Sequence, residues 1–322
     1  MRKTLLSAAV LFLSAVSIAN AQEWPARPIT ITMGFPPGSG TDVVARTLQP
    51  MLDKALGQRI VIDYKAGAGG NVASDVVANA KPDGYTFLLG TAGTHGINAA
   101  LYKKLSFDVE KDFTPVSTLV DVSNVLMINP KAIDAKDVKD FIAKVKAAPG
   151  KYNYASTGNG AGTHLAFAEF NAKAGLDMVH VPYKGSPDAV QSVLNGDTCC
   201  LFSQVQIAIP QVNAGKVKLL GVSTRQRVPA IPDVPTIDEA GLAGFESYTW
   251  FGIFGPKGLD PAIALKMNLA IKTALADPDV QKKLIELGNT PRYETIEQFK
   301  ATVHRDRLKW AEVVKSVGAT IE

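Results

Sequence analysis

Short apolar runs and amphipathic helical patterns take turns along this chain. Runs with strand character lie at 29–33, 59–63, 85–89, 113–119, 125–128, 152–155, 178–181, 198–202, 217–222 and 248–254. Apolar residues at helical spacing mark 43–56, 72–80, 138–147, 165–175, 187–194, 261–276, 278–287 and 296–317. Pro50 sits inside the first helical pattern and is expected to kink or shorten it. Residues 81–84 read as a turn, and 225–235 as a proline-rich irregular stretch. Strands alternating with helices predict an α/β fold with parallel sheets. The number of elements suits two doubly wound lobes. No flexible linker separates them.

Two glycine loops stand out. The first is Gly34-Phe35-Pro36-Pro37-Gly38-Ser39-Gly40-Thr41-Asp42; the second is Ser156-Thr157-Gly158-Asn159-Gly160-Ala161-Gly162-Thr163-His164. Each joins a strand to a helix. Glycine lets the backbone turn tightly and approach a ligand, and free N–H groups at a helix start attract negative charge. Neither loop contains Lys or Arg, so amides and hydroxyls must do the holding. In open α/β sheets, ligands bind beyond the carboxyl ends of strands. That rule selects Phe35, Ser39, Gly40, Thr41 and Asp42 in the first loop, with Asp42 more an organiser than a contact. It also selects Ala68, Gly69, Thr91, Thr94 and His95, then Ser156, Thr157, Gly158, Asn159, Gly160, Thr163 and His164, and finally Ser203 with Gln204.

Nucleotide sites are poor matches. Gly38-Ser39-Gly40 lacks the third glycine of a dinucleotide fingerprint, and neither loop continues into Gly-Lys-Ser/Thr. The chain opens Met1-Arg2-Lys3, runs apolar over 5–18 and reaches Ala19-Asn20-Ala21, a secretory signal pattern with cleavage after Ala21. Removing 1–21 lowers the formal charge from +4 to +2. So balanced a chain carries no basic stripe for nucleic acid. A soluble, exported protein of two lobes is expected, with no cofactor and no metal.

Catalytic signatures are absent. The four histidines, His95, His164, His180 and His304, are scattered, and no Gly-x-Ser-x-Gly or His-Glu-x-x-His occurs. His95 and His164 end loops and could bond a ligand or brace the backbone. Cys199 and Cys200 are adjacent, read as small apolar residues of a buried strand, with a vicinal disulfide as the alternative. Trp250, Phe251 and Phe254 read as an aromatic core strand.

At this point the chain resembles the tripartite tricarboxylate transporter substrate-binding proteins, often called Bug receptors. The matching text includes Pro25-Ala26-Arg27-Pro28-Ile29, residues 37–42, Gly67-Ala68-Gly69-Gly70-Asn71 and Pro82-Asp83-Gly84-Tyr85. It continues with Tyr154-Ala155-Ser156, His164, Val181-Pro182-Tyr183-Lys184-Gly185, Pro232-Asp233-Val234-Pro235-Thr236 and Trp250-Phe251-Gly252. The resemblance implies a type II periplasmic binding protein, a monomer of two doubly wound lobes with the ligand cleft between them. Lobe 1 would comprise 22–124 and 226–322, and lobe 2 residues 125–225. It further implies capture of a small organic carboxylate, a di- or tricarboxylate or an aromatic acid, and delivery to an integral membrane permease. The alternatives are a ligand sensor for a signalling partner and a secreted hydrolase. In the family an Asp often follows the strand-end Phe; here Ser203 and Gln204 follow Phe202. That departure disfavours a ligand ammonium, so an unsubstituted organic acid is expected over an amino acid. Phe35 leaves room for an aromatic acid.

Overall fold

The computed structural model describes residues 24–316. The expected signal peptide, residues 1–21, and the chain end from 317 lie outside the described residues. In chain order the first elements are β1 (Ile29–Met33), α1 (Gly40–Leu56), β2 (Ile60–Tyr64), α2 (Asn71–Ala78), β3 (Thr86–Thr91), α3 (Asn98–Leu101) and β4 (Phe113–Ile128). Next come α4 (Val138–Lys146), β5 (Asn153–Ser156), α5 (Gly162–Ala174), β6 (Val179–Pro182), α6 (Ser186–Asn195), β7 (Cys200–Gln204), α7 (Val205–Asn213) and β8 (Lys218–Val222). The chain closes with β9 (Tyr248–Pro256), α8 (Pro261–Ala276), α9 (Pro278–Glu286), β10 (Asn289–Pro291) and α10 (Ile296–Ser316).

The two runs at 113–119 and 125–128 are one strand. β4 continues through Val120-Asp121-Val122-Ser123-Asn124, a stretch with no glycine or proline to break it. Its first part pairs with β9 as far as Ser123 opposite Tyr248. From Asn124 onward it pairs instead with β7, and from Val125 also with β8. One strand therefore belongs to both lobes. The sheets are mixed rather than parallel. β1 runs parallel to β2 and β3, and β5 parallel to β6 and β7. β4 and β9 run antiparallel to each other and to their other partners. The chain leaves lobe 1 along β4 and returns along β9, and outward and returning strands side by side must oppose.

Each lobe has its own core. In lobe 1, Ile29, Ile31 and Met33 of β1 meet Val44, Leu48 and Leu52 of α1 and Met267 and Ile271 of α8. In lobe 2, Phe141, Phe167, Phe170, Phe202 and Phe245 form an aromatic cluster. The irregular segment after β8 packs there too: Val228, Ile231 and Val234 join the β7–α7 core, and Ile237 and Phe245 join the aromatic one. Residues 228–245 thus pack with these two clusters before the chain reaches β9.

Smaller differences have local reasons. α1 continues through Pro50, which lies exposed on the outer side of the helix. α7 and β10 were not anticipated: α7 follows β7 without a turn residue, and β10 spans three residues. Both cysteines are free buried thiols with Sγ atoms 3.3 Å apart. Trp250 and Phe254 are core residues, and Trp250 donates its Nε1–H to Asp306 Oδ2 at 2.7 Å.

β9 threads between β3 and β4 and tolerates no bulk at Gly252. A Cβ there would lie 2.4 Å from Phe299 Cζ and 3.0 Å from the Ser117 carbonyl oxygen. Gly252→Val is expected to destabilise the protein by about 1–3 kcal/mol, read as a lower urea midpoint. An unchanged midpoint would show that this crossing is loosely packed.

Candidate ligand-binding site

Parallel strands in both lobes end at the same place. β1, β5, β6 and β7 all point their carboxyl ends into the space between the lobes, and α1, α5, α6 and α7 begin there. The chamber they enclose is lined by Gly40 of α1, Gly162 and Thr163 of α5, Ser186 of α6 and Gln204, the residue before α7. The opening N–H groups of a helix have no intrahelical partner and carry partial positive charge. Four such ends meet at one point. The inner chamber encloses about 20 Å³, room for about one water, so the lobes are shut.

Hydroxyls complete the lining, in a pair on each lobe. Ser39 Oγ and Thr41 Oγ1 are 2.9 Å apart, and so are Thr157 Oγ1 and Thr163 Oγ1. The Thr157 N–H also donates to Thr163 Oγ1 at 3.0 Å. Two hydroxyls carry two protons, and their mutual bond uses one. Each pair therefore keeps one donor for a guest. Thr91 lines the same chamber, together with Phe35, Ala161 of the second glycine loop, and two residues the sequence reading did not place there, Thr249 and Phe251. Ser186 was missed as well. Alternation on β9 gave no signal for Thr249 and Phe251, since both faces of the strand are core faces: Phe251 packs in one cluster and Trp250 in another. Among the described residues, no Lys, Arg, Asp or Glu lines this chamber.

Asp42 organises the first loop from outside the chamber. Its carboxylate accepts the Gly38 N–H at 2.8 Å, Arg46 Nε–H at 2.8 Å and the Tyr64 hydroxyl at 2.6 Å. Gly38 sits at φ +77, where a side chain would be strained.

Two imidazoles hold the second loop. The Gly160 N–H donates to His164 Nδ1 at 3.2 Å, which requires that nitrogen to be unprotonated. His164 stacks on His180 with ring centroids 3.9 Å apart, and His180 Nε2 lies 2.6 Å from Ser156 Oγ. Ser156 Oγ in turn accepts the Gly158 N–H at 3.2 Å. Burial lowers the pKa of His164 from 6.5 to about 4, and burial with the neighbouring ring lowers that of His180 to about 3. Ser156, Gly160 and His164 line neither chamber; they fix the shape of the loop. His180 was not anticipated, since a histidine between two valines reads as strand filler. Its role appears only when β6 pairs with β5, bringing it opposite Tyr154.

His95 is a core residue. It is fully buried, stacked on Phe254 at 3.8 Å, and burial lowers its pKa to about 3. Its Nδ1 lies 2.8 Å from Thr94 Oγ1, which is bonded to the Thr91 N–H at 2.9 Å. His95 and Thr94 thus brace Thr91 and line neither chamber. Ser203 is likewise buried inside β7, its Oγ donating to the Gln204 carbonyl at 3.2 Å.

An outer chamber of about 190 Å³ adjoins the inner one, sharing Phe35 and Thr157. Ala68, Gly69, Gly158 and Asn159 line it, with Tyr102, Tyr183 and Lys184 as additions. Lys184 lies beyond both glycine loops, so a search confined to those loops passes over the cation at this mouth. Here the lobes touch backbone to backbone. A Cβ at Gly69 would fall 2.2 Å from the Asn159 carbonyl oxygen, and one at Gly93 would fall 2.8 Å from that of Gly160. The Tyr102 hydroxyl donates to the Asn159 carbonyl at 3.3 Å. Leu165 of α5 completes the closure by packing with Ile97, Leu101, Trp310 and Val314 of lobe 1.

Two measurements follow from this geometry. The depressed pKa of His164 means that the unfolded chain binds a proton between pH 6.5 and about 4 that the folded loop refuses. Its contribution is present above pH 6.5 and is lost as pH falls through that window. His164→Asn retains an acceptor and cannot titrate, so its urea midpoint should fall less than wild type between pH 7 and 4.5; equal falls would remove His164 from the account. Gly93→Val should hold the lobes apart, giving a larger scattering radius and weaker ligand binding with an intact far-UV spectrum. An unchanged radius would show that Gly160 yields.

Residues 44–319 match the tripartite tricarboxylate transporter family receptor. BugT of Bordetella pertussis is 34% identical over 323 residues, covering 99% of this chain and 98% of its own length. A protein of R. palustris solved with adipate superposes with TM-score 0.90 at 31% identity, over 93% of this chain and 100% of that one. MatC from Rhodopseudomonas palustris with bound malate superposes with TM-score 0.85 at 34% identity, over 90% and 100%. Two lobes, two crossing strands and a cleft floored by helix ends are the type II periplasmic binding-protein architecture, and this chain belongs to the tripartite tricarboxylate transporter receptor family.

Proposed function

We propose that this protein is an exported periplasmic receptor that closes on a small organic carboxylate and delivers it to the membrane permease of a tripartite transporter. The observation that carries the reading is the inner chamber. Four helix N-termini and two hydroxyl pairs converge there, and among the described residues no basic side chain lines it. Such a site favours an anion that accepts several hydrogen bonds without needing a counter-ion. Relatives solved with adipate and with malate support a carboxylic acid as the ligand. Among the described residues, no helix is long and apolar enough to cross a membrane, in keeping with a receptor that hands its cargo to a separate permease. Phe35 and Phe251 give the chamber two aromatic faces, which keeps an aromatic acid within the class alongside di- and tricarboxylates.

We read the protein as a binder rather than a hydrolase. Ser156 and His180 have the spacing of a nucleophile and base, yet Ser156 is fully buried and committed to Gly158. No acidic side chain lines either chamber among the described residues. An ammonium group would therefore meet dipoles of the wrong sign and no carboxylate.

Melting temperature of the mature protein tests this across mono-, di- and tricarboxylates, benzoate-type acids and the acidic amino acids. A ligand at a hundred times its Kd stabilises by about 2.7 kcal/mol, a readily measured rise. Organic acids should raise the melting temperature, with aspartate and glutamate below their deaminated counterparts. A flat response to every acid, or a preference for the amino acids, would sink the proposal.

A further inference from the structure

We propose that the side-chain amides of Gln204 and Gln206 read a hydroxyl or carboxamide group on the bound acid, so that the ligand is a hydroxy acid or a monoamide rather than a plain dicarboxylate. This rests on the carboxylate-receptor reading and narrows its substrate class. It departs from the unsubstituted acid that the sequence suggested.

Both amides come from lobe 2 and press on the first residue of α1 in lobe 1. A Cβ at Gly40 would fall 2.0 Å from Gln204 Oε1 and 2.8 Å from Gln206 Nε2. Gln204 lines the inner chamber beside the Ser39–Thr41 hydroxyls, and Gln206, 5% exposed, stands behind it in the first turn of α7. Gln204 Oε1 and both amide atoms of Gln206 are buried with no hydrogen-bond partner in the protein. Asn124 lies directly opposite Gln204 across the β4–β7 pair, and its two amide atoms are buried and unpartnered as well. Buried polar groups are nearly always satisfied. A cluster of orphaned amides beside a cleft therefore describes the group that completes it.

Donor and acceptor counting identifies that group. A carboxamide offers two N–H donors and an accepting oxygen, whichever way its head is turned. An ionised carboxylate only accepts; it would satisfy the amide N–H groups and set its charge against the amide oxygens. An ammonium only donates and would leave the N–H groups orphaned. A hydroxyl does both, and so does a carboxamide. The acid head then belongs to the hydroxyl pairs and helix ends, and the second polar group to the glutamines. Gly40 permits this arrangement, since any side chain there would occupy the position of the amide heads.

Calorimetry with matched acids tests the inference: succinate, each enantiomer of malate, and succinamate, titrated into the mature protein. Malate or succinamate should bind about tenfold or more tightly than succinate. The Gln204→Leu and Gln206→Leu variants, checked for wild-type melting temperature, should bind malate, succinamate and succinate with the same affinity as one another, losing that ratio. The wild-type ratio is informative even where a variant fails to fold. Equal binding of all three acids would overturn the inference and leave the receptor reading intact, with water satisfying the amides. A preference that survives both variants would overturn the assignment to these glutamines. Binding of no acid at all would overturn both readings.

Discussion

The rest of the molecule hangs on the pairing of β4 with β9. β4 is hydrogen-bonded to strands of both lobes, and β9 returns alongside its first half. Short bonds tie the return together at the crossing: the Ser223 N–H donates to the Asn124 carbonyl and the Ser247 N–H to the Ser223 carbonyl, each at 2.8 Å. A paired strand bends and twists but does not slide, because slipping one residue turns every side chain to the other face. The lobes can therefore rock about the crossing and cannot shift along it. That restraint aims the carboxyl ends of both parallel sheets at one space. The convergence of helix ends follows from topology, without any residue chosen for charge.

In the proposed receptor, binding an anion with dipoles rather than side-chain charge has consequences. Each helix end contributes about 0.3–1 kcal/mol toward a nearby negative charge, more where water is excluded. The dipoles are fixed by the backbone and cannot collapse onto a carboxylate of their own lobe, as a lysine could. Asp42 illustrates the division of labour. Its charge is spent on Gly38, Arg46 and Tyr64, outside the chamber, where it stiffens the loop without repelling an anionic guest. His164 and His180 shape the second loop while neutral. Buried imidazoles that stay uncharged add hydrogen-bonding geometry and no field.

Closure brings backbone against backbone as well as apolar side chains together. Gly69 and Gly93 of lobe 1 meet Asn159 and Gly160 of lobe 2, and Leu165 of lobe 2 packs with Ile97, Leu101, Trp310 and Val314 of lobe 1. Such an interface is close-fitting. On the proposed reading, an acid that joins hydroxyls of both lobes would add directly to it and so shift the population toward the closed form. Selectivity and closure then depend on the same contacts.

The alternation of apolar runs and helical patterns sufficed for an α/β fold, and the two glycine loops announced anion-friendly strand ends. Those features are local, fixed by side-chain periodicity and by the φ freedom of glycine, and so they are written in the sequence. The number of elements suited two lobes, and motif resemblance supplied the cleft between them. Pairing was not written there. That 113–119 and 125–128 are one strand, that the sheets are mixed, and that 228–245 cover lobe 2 all depend on which distant surfaces meet. The same holds within the site. His95 and His164 looked equivalent as loop-end histidines, yet one is stacked on Phe254 in the core and the other grips Gly160. His180, Thr249 and Gln206 carried no sequence signal, because their importance comes from neighbours supplied by other elements. The chain alone determined what each segment could become; tertiary packing decided which polar groups were buried together and which were left to face the cleft, since burial and partnership are properties of the assembled surfaces.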